Sequence, residues 1–206
     1  MNPNKALWEK GDFTRIAETM RESGEALVKG LGVTKGLKVL DLGCGDGTTA
    51  LPEARLGADV LGVDIARNLV EAGNKRAQEQ GRTNCKFQEG DASDLHELKD
   101  QMFDLVVSIF GAMFAPKPFD VAKEMVRVTK PGGRIVMGNW IPNDPTLVAQ
   151  ILKISSSLGT IPCHRMRSSG RDSDQSISDK QKESDKKLYR YHDRTASFRI
   201  GLSSRI

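Results

Sequence analysis

Three carboxylates stand at the ends of short apolar runs in the first half of the chain: Asp41 after Val39-Leu40, Asp64 after Val63, and Asp91 in Glu89-Gly90-Asp91-Ala92. The first opens a glycine-rich stretch, Asp41-Leu42-Gly43-Cys44-Gly45-Asp46-Gly47-Thr48. Gly43, Gly45 and Gly47 permit unusual dihedrals and leave bare backbone for a ligand to touch. A helix beginning behind them presents free amides and a positive dipole end. Asp41 sets the charge logic. At the tip of a strand it repels a pyrophosphate and suits a ligand carrying an ammonium or sulfonium group. Asp64 stands 21 residues after Gly43, the spacing at which a carboxylate receives ribose hydroxyls. Asp91 can accept from an adenine amino group while the Ala92 amide donates to a ring nitrogen. The three together describe a site for a nucleoside with a cationic appendage. The strict dinucleotide fingerprint G-x-G-x-x-G fails at Thr48, and the phosphate loop G-x-x-x-x-G-K-[ST] is absent.

The elements that must hold these residues alternate along the chain. Strands are expected over 37–41, 59–64, 85–88, 103–109 and 134–138, and helices over 48–56, 67–80, 119–128 and 145–158. Lys130-Pro131-Gly132-Gly133 marks a turn before the fifth strand. Such alternation implies right-handed crossovers and a mainly parallel sheet with helices on both faces. Ligands then bind beyond the carboxyl ends of the strands, where strand order reverses. An N-terminal helix is expected from Asp12 to Leu31, from the spacing of Phe13, Ile16, Met20, Leu27, Val28 and Leu31, with Asp12 as its cap and Gly32 after its end.

Bulk properties narrow the class. The chain has 206 residues, 28% of them charged, and no apolar run long enough to cross a bilayer. No membrane span and a cytoplasmic location are the expectations, since the N-terminus also lacks the apolar stretch of a signal peptide. Cys44, Cys85 and Cys163 form no Cys-x-x-Cys pair. The net charge of +4 belongs to the tail: residues 163–206 hold 11 Lys or Arg and 6 Asp or Glu, so residues 1–162 carry −1. A basic domain face, the usual footprint of nucleic-acid binding, is therefore not expected. The organisation read from this is an N-terminal helical cap over 1–35, an α/β domain over 36–160, and a polar basic tail over 161–206 too poor in apolar residues to order well.

The run Val39-Leu40-Asp41-Leu42-Gly43-Cys44-Gly45-Asp46-Gly47 resembles the first motif of class I S-adenosylmethionine-dependent methyltransferases. Gly62-Val63-Asp64, Glu89-Gly90-Asp91-Ala92 and Lys130-Pro131-Gly132-Gly133 resemble the later motifs in the right order, nearest to the ubiquinone/menaquinone-biosynthesis branch (methyltransferase type 11). The resemblance covers residues 30 to 150 and is specific in combination. It implies a Rossmann-like, doubly wound α/β fold with S-adenosylmethionine as cofactor. Gly43, Cys44, Gly45 and Gly47 would cradle the methionine portion and Asp41 orient its amino group. Asp64 would hold the ribose with Ile65 against the adenine, and Asp91 and Ala92 read the adenine edge. Ser108 and Phe110 would lie between cofactor and acceptor. The resemblance also implies a C-terminal hairpin at the sheet edge. Here Leu188–Tyr191 and Phe198–Ile200 are either degenerate versions of it, or the hairpin is missing and the fifth strand is an exposed edge.

A sulfonium already activates its methyl group, so transfer needs mainly alignment and exclusion of water. A general base is needed only where the acceptor must lose a proton. None stands out: His96 sits in a charged stretch, His164 and His192 lie in the tail, and no metal-ligand spacing occurs. Trp8, Phe13, Met113, Phe114 and Trp140 could line a pocket for a small apolar or amphipathic acceptor, with Phe110 beside them. Ser108-Ile109-Phe110-Gly111 stands where nucleic-acid enzymes methylating adenine carry Asn-Pro-Pro-aromatic, so no nucleic-acid partner is expected. The alternatives are an NAD-binding oxidoreductase, disfavoured by Thr48 and Asp41, and a cofactor-binding module without catalytic activity. Oligomeric state stays open.

Overall fold

The structure is a computed structural model that describes residues 2, 4–140, 189–192 and 197–202. Its strands follow the apolar runs. β1 (Lys38–Leu42), β2 (Asp59–Asp64), β3 (Cys85–Glu89), β4 (Phe103–Ile109) and β5 (Thr129–Trp140) lie parallel. β6 (Tyr189–His192) and β7 (Ser197–Leu202) form an antiparallel hairpin, and β7 pairs antiparallel with β5. The sheet order is β3-β2-β1-β4-β5-β7-β6. Strand order reverses between β1 and β4, where β1 turns from one neighbour to the other, and the cleft of an open α/β sheet forms there.

Six helices surround the sheet among the described residues: α1 (Lys5–Trp8), α2 (Phe13–Glu18), α3 (Arg21–Gly30), α4 (Ala50–Arg55), α5 (Arg67–Glu79) and α6 (Pro118–Val128). A single 3₁₀ turn, Ala112–Phe114, follows β4. Side-chain alternation along the strands divides the core. Val39 of β1 and Leu105 and Val107 of β4 join Leu27, Val28, Leu51 and Phe87 on the face covered by α3, α4 and α5. Leu40, Leu42 and Val106 point the other way, joining Val121, Met125 and Val128 of α6. Burial on both faces explains why β4 reads as an unbroken apolar run.

The N-terminal helix differs from its sequence pattern. It breaks into α2 and α3 at Thr19-Met20, and Ile16 is 54% exposed, so one of the periodic apolar positions never reaches the core. Asp12 makes no capping bond to the backbone; its carboxylate accepts from the Thr14 hydroxyl instead. Gly32 does adopt the left-handed conformation, φ +65°, after the last helix of the cap. The Lys130–Gly133 turn lies inside β5 as a register irregularity, since Phe103 pairs with Thr129 and Leu105 with Arg134.

The tail holds the hairpin that its weak apolar signal left open. Leu202 to Phe198 pair with Val136 to Trp140, so β5 is covered rather than an exposed edge along that length. The helix expected over 145–158, and with it Cys163 and His164, lies outside the described residues. Among the described residues no helix is long and apolar enough to cross a membrane.

Candidate functional site

The glycine-rich loop sits at the point where strand order reverses. Gly43 donates its amide to the Val63 carbonyl (2.8 Å), and Cys44 to the same oxygen (3.3 Å), which ties the loop to the end of β2. All three loop glycines have positive φ, +67° at Gly43, +55° at Gly45 and +89° at Gly47. Their surroundings differ. A side chain on Gly43 would stand 2.6 Å from the Gly111 Cα, and one on Gly47 2.6 Å from the Phe87 ring. At Gly45 nothing lies within 4 Å. Gly43 and Gly47 are thus required by packing, while Gly45 is the bare stretch that a ligand can approach. Cys44 gives the loop its backbone only; its side chain is buried with Sγ toward Gly62, and burial pushes the thiol well above its ordinary range.

Asp41, at the end of β1, is 1% exposed. One carboxylate oxygen accepts from the Thr49 hydroxyl (2.5 Å), and the other, Oδ1, has no partner among the described residues. Desolvation raises its pKa to about 7, helped by the negative charge of Asp64 and opposed by the Thr49 hydrogen bond. Asp64 ends β2. Its Oδ2 accepts from the Gly45 amide (2.8 Å) and its Oδ1 from the Ala66 amide (2.9 Å). Burial raises its pKa against those hydrogen bonds. Each oxygen still has a lone pair for a further donor. Ile65 follows, half-buried.

Asp91 lies past β3 in a different setting. Its Oδ1 accepts from the Ser93 amide (2.9 Å) and hydroxyl (2.8 Å), and its Oδ2 from the Asn2 carboxamide (3.0 Å). Burial opposes ionisation, yet these hydrogen bonds hold its pKa below the ordinary carboxylate value. Ala92 is half-buried against the α6-side core. Ser108 is 1% exposed and fully engaged: its hydroxyl donates to the Leu42 carbonyl (2.7 Å) and accepts from the Ala112 amide (2.9 Å). It staples β1 to β4 from within the core rather than facing the cleft. Phe110, by contrast, is partly exposed and holds φ +58°, a conformation that side chains rarely adopt.

Of the aromatic set, Trp8, Phe13 and Phe114 come together. The Trp8 ring lies 5.3 Å from each of the other two, edge to face. Met113 is half-buried on the same 3₁₀ turn. Trp140 ends β5 opposite Phe198, with its side chain outside the described residues. His96 is exposed and paired with Asp94 (2.9 Å), away from these groups, and His192 belongs to β6. Among the described residues no cluster of His, Cys, Asp or Glu could hold a metal ion.

Two features escaped the sequence reading. Gly111 packs against Gly43 so closely that a side chain on it would stand 2.6 Å from the Leu42 carbonyl. A glycine just past the fourth strand was the available signal. Glu53 is the second. It is wholly buried, neither carboxylate oxygen has a partner among the described residues, and desolvation followed by the charge of Asp41 raises its pKa well above the ordinary value. Its helix, Ala50-Leu51-Pro52-Glu53-Ala54, is buried along its length, which the apolar flanks foreshadow. A cavity of about 300 Å³ lies at the opposite end of the strands around Leu37, Asp104 and Lys130 and has no part in this arrangement.

Comparison with known proteins gives this geometry a context. A family model for a methyltransferase domain matches residues 33–193. An uncharacterised protein of Mycobacterium tuberculosis is 39% identical over 138 residues, which are 66% of this chain and 50% of that protein. A demethylmenaquinone methyltransferase of a Geobacillus strain is 37% identical over 127 residues, 60% of this chain and 53% of the other. The chain spans about half the length of these curated relatives. Among solved structures, the YcgJ protein of Bacillus subtilis superposes with a TM-score of 0.58 at 29% identity, covering 66% of this chain and 58% of that one.

Proposed function

Since the chain belongs to the methyltransferase-domain family, in its class I S-adenosylmethionine-dependent division, we propose that its cleft binds S-adenosylmethionine and directs methyl transfer to a small apolar acceptor. The observation that carries this is the buried Asp41 oxygen, without a partner among the described residues, on the strand that leads into the loop whose Gly45 backbone is open. A carboxylate oxygen left without a donor in the interior is costly unless a donor arrives. An ammonium group is a fitting one.

In this reading Asp64 receives the ribose hydroxyls on its remaining lone pairs, and Asp91 with the Ala92 amide reads the adenine edge. Ile65 supplies an apolar surface for the ring. When bound, the cofactor supplies a methyl group already activated by its positively charged sulfur. The chain's own part is alignment and exclusion of water. The Trp8–Phe13–Phe114 cluster, with Phe110 and Met113, forms the apolar wall for an acceptor. Ser108 acts by fixing the separation of β1 and β4. The demethylmenaquinone methyltransferase relatives make aromatic hydroquinones the first acceptor class to try.

The test is transfer of labelled methyl from S-adenosylmethionine to a panel of small hydroquinones, phenols and amines, with RNA, DNA and protein as controls. Label appearing in a small molecule, and lost in Asp64→Ala, supports the proposal. Label entering only a macromolecule overturns the acceptor class, and no transfer by a protein that binds the cofactor favours a binding module without catalysis.

A further inference from the structure

The segment before the first strand reaches across the cleft. Asn2 donates its carboxamide N–H to Asp91 Oδ2 (3.0 Å), and its own Oδ1 accepts from the Asn4 amide (3.0 Å), which fixes the carboxamide's direction. Asn4 donates to the Phe114 carbonyl (2.9 Å), on the 3₁₀ turn after β4. Lys5 pairs with Glu89 at the end of β3, and Trp8 closes the segment against Phe114. The strap is thus anchored at two strand ends, with the cleft between.

The contact at Asp91 is chemically specific. Ser93 already takes Oδ1 twice, so Oδ2 is the oxygen left to meet a ligand, and the Asn2 carboxamide stands against it, using one of its two lone pairs. A carboxamide NH₂ and the amino group of adenine are both planar N–H donors conjugated to an sp² carbon. One can stand in for the other. We propose that Asn2 is an internal competitor for the adenine subsite, satisfying Asp91 until an incoming adenine amino group displaces it. The inference rests on the assignment of Asp91 to the adenine edge. A competing intramolecular contact lowers apparent affinity by the fraction of time it holds the site.

Calorimetric titration with S-adenosylhomocysteine tests this on the full chain. Asn2→Ala is expected to bind about two- to tenfold tighter than the parent, the range that one hydrogen bond of ordinary net strength corresponds to. Asn2→Asp, which sets a second carboxylate against Asp91, is expected to tighten binding at least as much. Asp91→Ala is expected to weaken binding and to abolish the effect of Asn2→Ala. If Asp91→Ala binds as the parent does, the adenine assignment fails and takes the inference with it. If Asp91→Ala weakens binding while Asn2→Ala leaves affinity unchanged or lowers it, the assignment stands and the competitor is overturned.

Discussion

Asp41 ends β1 and Asp91 follows β3, two places apart in the sheet with β2 between them, and their surroundings drive them in opposite directions. Asp41 lies at the inner end, 1% exposed with one oxygen unpartnered among the described residues, and its pKa rises to about 7. Asp91 lies at the outer end, half-buried, with both oxygens engaged, and its pKa falls. Depth and donor count decide the sign, not residue type. The inner end keeps a buried carboxylate oxygen without a partner among the described residues, whereas the outer end is hydrogen-bonded at both oxygens.

The largest effect is expected where the inner end is most tightly packed. Gly43→Ala should cost on the order of 4 kcal/mol in urea denaturation, since the new methyl meets Gly111 backbone at 2.6 Å and φ is +67°. Gly45→Ala, with open space around it and φ +55°, should cost only about 1 kcal/mol. Equal costs would mean that the two glycines do the same job.

Next comes pH. Asp41 has a folded pKa above its unfolded value, so its contribution is present below the usual carboxylate range and is lost as pH rises toward about 7. The buried Glu53 acts in the same sense. Glu89 and Asp91 have lowered values, so their contributions are present above that range and lost as pH falls through it. Stability of the unliganded protein should therefore peak within the ordinary carboxylate range, at about pH 4, and fall by a few kcal/mol toward neutrality. Asp41→Asn should flatten the limb above the peak and leave the acid limb in place. A profile flat from pH 5 to 8 in the parent would contradict the inner-end account.

A smaller change follows from Glu53→Leu, which replaces a buried, unpartnered acid with an apolar side chain of similar size. It should stabilise the fold by about 1–3 kcal/mol at neutral pH, read as a raised Tm. Least of all, Lys5→Ala removes an ion pair to Glu89 whose side chains are each 32% exposed. Its cost in denaturation should stay below about 1 kcal/mol.

The same division between inner and outer explains what the sequence disclosed. Strands β2 and β4 match their apolar runs residue for residue because both faces are buried, leaving no polar alternation to blur the ends. The placement of the loop glycines and of Asp41, Asp64 and Asp91 at or just past strand ends was legible because strand–turn–helix chemistry is local. Glu53 was not, since one charged residue in a two-turn helix looks like a solvated face until the elements packed around it are known. The staple made by Ser108 was hidden for a related reason: its partners, Leu42 and Ala112, include one 66 positions away. The hairpin of β6 and β7 depended on pairing with β5 across a long separation in sequence, which composition does not carry. The break between α2 and α3 ran against a helical apolar spacing of which Leu27, Val28 and Leu31 reach the core and Ile16 does not.

The central claim, that the row of acids binds an adenosine ligand bearing a cationic amino acid, is tested most directly by calorimetry. The parent protein and Asp64→Ala would each be titrated with S-adenosylhomocysteine and with NAD. The account predicts saturable binding of S-adenosylhomocysteine to the parent, loss of that binding in Asp64→Ala, and none for NAD. Binding of NAD in preference, or S-adenosylhomocysteine binding indifferent to Asp64→Ala in a folded sample, would contradict it.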